Sequence, residues 1–271
     1  MIVVILSYNH PELTDRCVRS VQAYLPDDKI ILVHNGSEAK WLKQHQSNFE
    51  NISHLILAKN SGFSGGANAG LKSGFERDHW VLFLTNDCQL QSSPMPPESF
   101  GLFSPLIWAR KIGRTDSLGG ALQLRRGHLR HLKQGEIELD PKCDRFYVPG
   151  TAFWLSADVF AATQGFDESL GTYWEDVDLS LRVQNQGLRL GTHTATQVLH
   201  AVGKTCHSDV YYTTYLFQRN RKRVCLKHTQ GLFAKMALWI ALFRSWVSLF
   251  LQHLRKRNFS RVRILARAIL D

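Results

Sequence analysis

Acidic residues are in short supply. The chain has 23 Asp and Glu against 33 Lys and Arg, a formal charge of +10. That balance disfavours basic partners and favours anionic ones, among them nucleic acid, nucleotide phosphates and acidic membrane surfaces. None of the usual nucleic-acid-binding motifs is present, so nucleic acid is not expected as a partner. Cysteine is sparse as well. Cys17, Cys88, Cys143, Cys206 and Cys225 include no Cys-x-x-Cys pair. This argues against a disulfide framework and a structural zinc site, and it suits a reducing, cytoplasmic location. No basic leader precedes the apolar run at Ile2, so no secretory signal is expected. The sequence has neither an internal repeat nor a low-complexity tract. Its most apolar segment, Leu232 to Leu254, contains Arg244, which makes a membrane crossing costly.

What is present suits one large domain or a domain plus an appendage. The chain has 271 residues, 44% of them hydrophobic, ample for a packed core. The run Ile2 to Leu6 is β-branched and apolar and ends at Ser7-Tyr8-Asn9, which reads as a buried strand with polar residues at its end. Pro11 suits the first turn of a helix, and Leu13, Cys17, Val18, Val21 and Leu25 fall on one helical face. Further strands are expected at Lys29 to Val33, His54 to Ala58 and Trp80 to Leu84. They end at His34-Asn35-Gly36-Ser37, Lys59-Asn60 and Thr85-Asn86-Asp87. A glycine-rich loop, Asn60 to Gly70, precedes a helix reaching about Asp78. The pattern is an α/β fold with a mostly parallel sheet, and in such sheets ligands sit at the carboxyl ends of the strands.

Beyond Cys88 the prolines 94, 96 and 97 break structure. Gly101 to Ile107 fits a strand and Gly119 to Leu132 a hairpin. The basic residues Arg125, Arg126, His128, Arg130, His131 and Lys133 read as a solvated face. Phe146 to Leu155 fits a central strand interrupted at Pro149-Gly150. Ser156 is expected to cap a helix through Gln164, and Leu188 to Leu199 to be extended, ending at His200. We expect residues 1–207 to form the α/β domain and 208–271 a basic, amphipathic helical region. Aromatics such as Trp239, Phe243, Trp246 and Phe250, followed by Arg255, Lys256, Arg257, Arg261, Arg263 and Arg267, suit helices lying in a membrane interface.

The stretch Gly165 to Gly187 is the richest in chemistry. Asp167, Glu175, Asp176 and Asp178 sit among Phe166, Tyr173 and Trp174, and a helix is expected from Glu175. Acids at a helix start are favoured by the helix dipole alone, so the spacing leaves both a structural and a chemical role open.

Several blocks in order decide between them: VVILSYN in the first strand, HNGS around Asn35, NSGFSGGANAG from Asn60, LFLTND ending at Asp87, PGTAFWLS from Pro149, GFDESLGTYWEDVDLSLR, then His200, Gly203 and Arg219-Asn220. Together they resemble the family 2 glycosyltransferases, especially the rhamnosyltransferase-like branch. The resemblance runs from about Ile2 to Asn220. It implies a GT-A (nucleotide-diphospho-sugar transferase) fold with C-terminal helices. It also implies inverting transfer of a sugar from a nucleoside diphosphate (UDP, dTDP or GDP type) to an acceptor hydroxyl, in bacterial cell-surface polysaccharide assembly on a glycan or lipid-linked acceptor.

The roles it implies are specific. Asp87 would bind a divalent cation, Mg²⁺ or Mn²⁺, with His200 as a second ligand. Asp176 would be the general base, and Glu175 would raise its pKa by like-charge repulsion. Asp178 would pair with a cation or cap the helix. Donor contacts would come from Ser7, Tyr8, Asn9, Asn35, Asn60, Gly62, Phe63, Gly66, Asn68, Asn86 and Arg219. Gly150, Thr151 and Trp174 would lie on the acceptor side. The chain departs from the family pattern at Thr85, where an acid is frequent, and at His34, where an Asp often accepts the base's N–H. A nucleotide-sugar-binding protein without catalysis is the alternative those departures would suit.

Overall fold

The structure, a computed structural model, describes residues 1–109, 114–132, 145–201 and 210–271. Cys143, Cys206, Gly203, Lys133 and the expected boundary at 207/208 lie outside them. The described strands and helices run β1 (Ile2–Ser7), α1 (Pro11–Gln22), β2 (Ile30–Asn35), α2 (Ala39–Asn48), β3 (Ser53–Leu57), α3 (Gly62–Phe75), β4 (Trp80–Thr85), β5 (Cys88–Leu90), β6 (Leu102–Ala109) and β7 (Arg114–Ser117). They continue with β8 (Gly120–Gln123), β9 (His128–His131), β10 (Arg145–Tyr147), β11 (Ala152–Ser156), α4 (Ala157–Thr163), α5 (Glu175–Asn185), β12 (Leu190–His200), α6 (Val210–His228), α7 (Leu232–Arg255) and α8 (Phe259–Leu270).

The main sheet has the order β3-β2-β1-β4-β11-β6-β12-β5, with β7 paired to β6. It is parallel from β3 to β4. Beyond β4 the sheet is mixed: β11 runs antiparallel to both its neighbours, β6 and β12 are parallel, and β5 is antiparallel to β12. β10, β8 and β9 form a separate antiparallel sheet. The stretch Phe146 to Leu155 is therefore two strands in two sheets, parted at Pro149-Gly150, because Pro supplies no amide to a ladder.

The alternation of a strand buried on both faces explains the layering. Ile2, Val4 and Leu6 of β1, with Ile31 and Val33 of β2, pack against Ala67 and Leu71 of α3 and Leu179 and Val183 of α5. Val3, Ile5, Ile30 and Leu32 point the other way, to Cys17, Val18 and Val21 of α1.

Two expectations fail here for packing reasons. The glycine-rich stretch is helix from Gly62, not loop to Gly70. A Cβ on Gly66 would lie 2.8 Å from Asn35 Nδ2 and Leu6 Cδ1, and one on Gly70 would lie 2.6 Å from Val4 Cγ1. These glycines let α3 lie flush on the sheet. Ser156 precedes α4 but makes no side-chain cap; its hydroxyl instead accepts the Gly101 amide at 3.1 Å. The helix α2 was not expected. Of its ten residues only His45 is buried, so it carries no apolar stripe to read.

The C-terminal helices join the α/β body through shared core. Leu122, Tyr147, Leu170, Trp174, Val177 and Leu181 pack with Val224 and Cys225 of α6, Leu238, Leu242 and Trp246 of α7, and Leu265 of α8. Cys17, Cys88 and Cys225 are buried and unbridged.

Candidate functional site

A cavity of about 490 Å³ opens where the parallel strands end. Leu6 of β1 and Tyr8 just after it, Asn35 of β2, and Thr85 at the end of β4 with Asn86 and Asp87 after it form its floor. Asn60, Gly62 and Phe63 border it at the start of α3, and Gly150 and Thr151 at the start of β11. His200 enters from the end of β12. Thr172 to Asp176 close the opposite wall, with Leu129, His131 and Tyr147 from the second sheet and Phe217 from α6.

Asp87 is buried. Its Oδ1 accepts the Thr85 hydroxyl at 2.6 Å, and its Oδ2 lies 3.3 Å from His200 Nε2. Thr85 also donates its backbone amide to Thr151 O at 3.0 Å. Among the described residues no three His, Cys, Asp or Glu side chains converge as a metal site. One carboxylate and one imidazole on a cavity wall do fit a cation that takes its remaining ligands from a bound phosphate.

The other pole is the turn into α5. Tyr173 and Trp174 both have φ of 70°, a left-handed conformation that bulky residues rarely adopt and that clusters at functional sites. Asn220 holds this turn. It is buried, and its Nδ2 donates to the carbonyls of Leu170 at 2.9 Å, Thr172 at 3.0 Å and Tyr173 at 2.7 Å. The turn also braces α3: Gly171 O accepts the Ser64 amide at 2.9 Å and the Ser64 hydroxyl at 3.0 Å.

Asp176 Oδ2 accepts the Gly150 amide at 3.0 Å, and Oδ1 the Val177 amide at 2.8 Å. Burial raises its pKa, opposed by those two N–H groups and by His131. Glu175 is pushed well above the carboxylate range by burial and then by the charge of Asp176. Its Oε2 is buried and without a hydrogen-bond partner. The repulsion thus falls on Glu175, the reverse of the sequence expectation, because Asp176 has the amides that favour a charge. Of the pair, Glu175 is pushed further toward the protonated form and Asp176 is the better placed to carry the anion. Tyr147 is raised beyond its ordinary value by burial and by Asp176, so its hydroxyl stays protonated. Trp174 Nε1 is a buried donor with no partner.

Asp178 faces away from the cavity lining and is fully buried. Arg182 at 2.8 Å, His228 at 2.8 Å and Lys227 at 2.9 Å surround it, and despite the burial they hold its carboxyl well below the usual range. It ties α5 to α6.

Of the expected site residues, Tyr8, Asn35, Asn60, Gly62, Phe63, Asn86, Asp87, Gly150, Thr151, Trp174, Glu175, Asp176 and His200 meet in this one cavity. Five others stand behind it. Ser7 bonds Thr14 at 2.8 Å. Asn9 receives the Glu38 amide and gives its own amide to Ser37. Gly66 packs under Asn35. Asn68 brackets the Phe166 peptide, donating to its carbonyl and accepting its amide. The Arg219 guanidinium donates to Asn220 Oδ1 and to the carbonyls of Ser169 and Leu170. His34 is buried under the sheet's end, bonded to His54 at 2.9 Å. Burial, His54 and His45 lower its pKa to about 3.

The sequence reading missed Tyr147, Thr172, Phe217, Leu129 and His131 as lining. Leu129 and His131, two apart on β9, share a strand face, a signal hidden by the basic residues around them.

Residues 2–96 match the family model of Glycosyl transferase family 2. Over 207 residues the chain is 24% identical to the low-salt glycan biosynthesis hexosyltransferase Agl10 of Haloferax volcanii, covering 71% of this chain and 66% of that protein. The chain thus spans just under two thirds of the curated relative's length. Its fold matches that of GalNAc-T7, solved with UDP, GalNAc and Mn²⁺, with a TM-score of 0.61 and 17% identity over 82% of this chain and 46% of that one. It also matches the mannosyltransferase PcManGT of Pyrobaculum calidifontis, solved with GDP-Man and Mn²⁺, with a TM-score of 0.53 and 10% identity over 99% and 84%. The chain therefore has the GT-A fold, and its residues 2–96 are similar to the family 2 glycosyltransferases.

Proposed function

We propose that this protein is an inverting glycosyltransferase that moves a hexosyl group from a nucleoside diphosphate to an acceptor hydroxyl. The observation that carries the reading is that Asp87 and Asp176, 89 positions apart in sequence, line one cavity. The donor's nucleotide lies over the ends of β1 and β2, near Tyr8 and Asn35, and its diphosphate lies toward Asp87 and His200. Those two residues would hold a divalent cation, which when bound supplies positive charge against the departing diphosphate.

Asp176 receives the proton of the acceptor hydroxyl as that oxygen forms its bond to the anomeric carbon. The bond from that carbon to the phosphate oxygen breaks, and its electron pair leaves with the nucleoside diphosphate. Attack from the side opposite the leaving group inverts the anomeric centre. The Gly150 and Val177 amides orient Asp176. Trp174 Nε1 and the Tyr147 hydroxyl are donors for acceptor oxygens. The Tyr173-Trp174 turn and Phe217 wall the reacting groups from water.

The setting is the cytoplasmic face of a bacterial membrane, in cell-surface polysaccharide assembly. α7 is long and apolar enough to cross a membrane by length and composition, and only 17% of its most apolar window is buried. Phe233, Met236, Ile240, Phe243, Val247, Phe250 and Leu254 are exposed along it, spaced three or four apart as one stripe. With Arg244 on the same helix and Arg255, Lys256 and Arg257 after it, the stripe suits peripheral insertion into an anionic interface.

A panel of nucleoside-diphosphate sugars, each with and without Mn²⁺, tests the donor class by thermal shift. A bound ligand raises the unfolding temperature by mass action. One nucleotide class should do so in a Mn²⁺-dependent manner; no shift with any donor would contradict the reading.

A further inference from the structure

A second cavity, of about 430 Å³, lies between α6, α7 and α8. It is separated from the first by Tyr173 and Phe217, which line both and meet edge to face at 6.2 Å. Its polar wall is cationic. His253 and Lys256 come from the end of α7, and Arg261 from the first turn of α8. Among the described residues no carboxylate lines it. Lys256 and Arg261 form no ion pair among the described residues, and burial, then Arg261 and Lys256, disfavour a charge on His253. Two mutually repelling cations, Lys256 and Arg261, facing one space beside a neutral imidazole donor are balanced by an anion. Thr213, Gln252 and Asn258 add polar groups to the same wall.

The neighbourhood narrows the anion. Phe250, Leu251 and Leu254 on α7 and Phe259 on α8 flank this cationic end and are all exposed. A free inorganic anion gives such residues no cover. An amphiphile with a phosphate head and a long apolar tail satisfies both halves at once.

We infer that this cavity is the phosphate subsite for the acceptor: it holds the mono- or diphosphate ester of a long-chain lipid. Lys256 and Arg261 take the phosphate, and the tail runs along Phe250, Leu254 and Phe259 toward the bilayer. The sugar end crosses the Tyr173–Phe217 partition to reach Asp176. The inference rests on the glycosyltransferase reading of the neighbouring cavity, and it names that reaction's acceptor class.

The test uses the full chain and titrates three probes: a long-chain alkyl diphosphate in neutral detergent micelles, inorganic pyrophosphate, and phosphatidylglycerol vesicles. Nucleoside diphosphate binding is measured in parallel. The alkyl diphosphate should bind at least tenfold more tightly than pyrophosphate. Lys256→Gln and Arg261→Gln should each weaken it about tenfold, the effect of one charge-assisted hydrogen bond. Phe250→Ser with Leu254→Ser should remove the preference over pyrophosphate. Nucleotide binding should stay unchanged in all three variants.

Equal affinity for alkyl diphosphate and pyrophosphate overturns the inference, as do glutamine variants that bind like the parent. Full displacement of the alkyl diphosphate by phosphatidylglycerol vesicles would assign the subsite to bulk lipid headgroups and overturn the acceptor assignment. Loss of nucleotide binding in the unsubstituted chain would instead count against the donor reading. A variant whose unfolding temperature falls is replaced by Lys256→Met or Arg261→Lys, for which a small loss for the lysine and a large one for the methionine are expected.

Discussion

The amide of Gly150 donates to Oδ2 of Asp176 at 3.0 Å, while the next residue, Thr151, accepts the Thr85 amide at 3.0 Å. Two adjacent residues thus connect the strand that leads to Asp87 to the helix that presents Asp176. The geometry between the two poles is set by backbone, not by long side chains, so it tolerates little drift.

Glu175 makes a pH prediction. Its folded pKa is raised well above the usual carboxylate range by burial and by Asp176. The folded state therefore holds a proton that the unfolded chain has given up. Stability from this group is complete below the unfolded pKa and is lost as pH rises through the folded one. Glu175→Gln keeps a neutral side chain at all pH values. Unfolding temperatures measured across pH 4 to 9 should decline with pH less steeply in this variant than in the parent. Parallel curves would contradict a protonated Glu175.

Asn220 is predicted to be a positioning residue. Asn220→Ala frees three carbonyls of the turn before α5 and should cost roughly 2–3 kcal/mol of stability, as buried hydrogen bonds are lost. The left-handed Tyr173 and Trp174 would relax toward ordinary backbone. In a steady-state assay kcat should fall more than the donor KM rises, and denaturant melts give the stability change. A variant with full kcat and unaltered melts would leave the turn without this support.

Gly70 tests the reading of α3. Its Cβ would stand 2.6 Å from Val4 Cγ1 and 2.8 Å from Val33 Cγ2. Gly70→Ala should therefore destabilise the protein by about 1–3 kcal/mol through overpacking, despite the better helix propensity of alanine. Added stability in urea melts would show that α3 has room to spare.

Where each element packs explains how much the sequence disclosed. Strands β1, β2 and β4 were legible because their β-branched runs are buried on both faces and end in polar residues, and those ends do converge. Asp87, His200, Glu175 and Asp176 could be assembled from motif order. The helical nature of the glycine-rich stretch was not read, although Gly66, Gly70 and Gly74 recur every four residues and mark one flush face. α2 was invisible because a polar surface helix has no periodic signal. Tyr147 and His131 were missed because the second sheet that carries them approaches the cavity only through tertiary packing. The direction of the Glu175–Asp176 repulsion depends on which carboxylate receives backbone amides, and local spacing does not reveal that.

The division of labour between Asp87 and Asp176 is best tested by measuring Mn²⁺-dependent donor binding and single-turnover transfer on Asp87→Asn and Asp176→Asn side by side. Asp176→Asn should keep donor affinity within about twofold and lose transfer by roughly 10²–10⁴-fold, the usual worth of a general base. Asp87→Asn should lose the Mn²⁺ dependence of donor binding itself. Near-normal transfer by Asp176→Asn, or donor binding by Asp87→Asn with its Mn²⁺ dependence intact, would contradict the account.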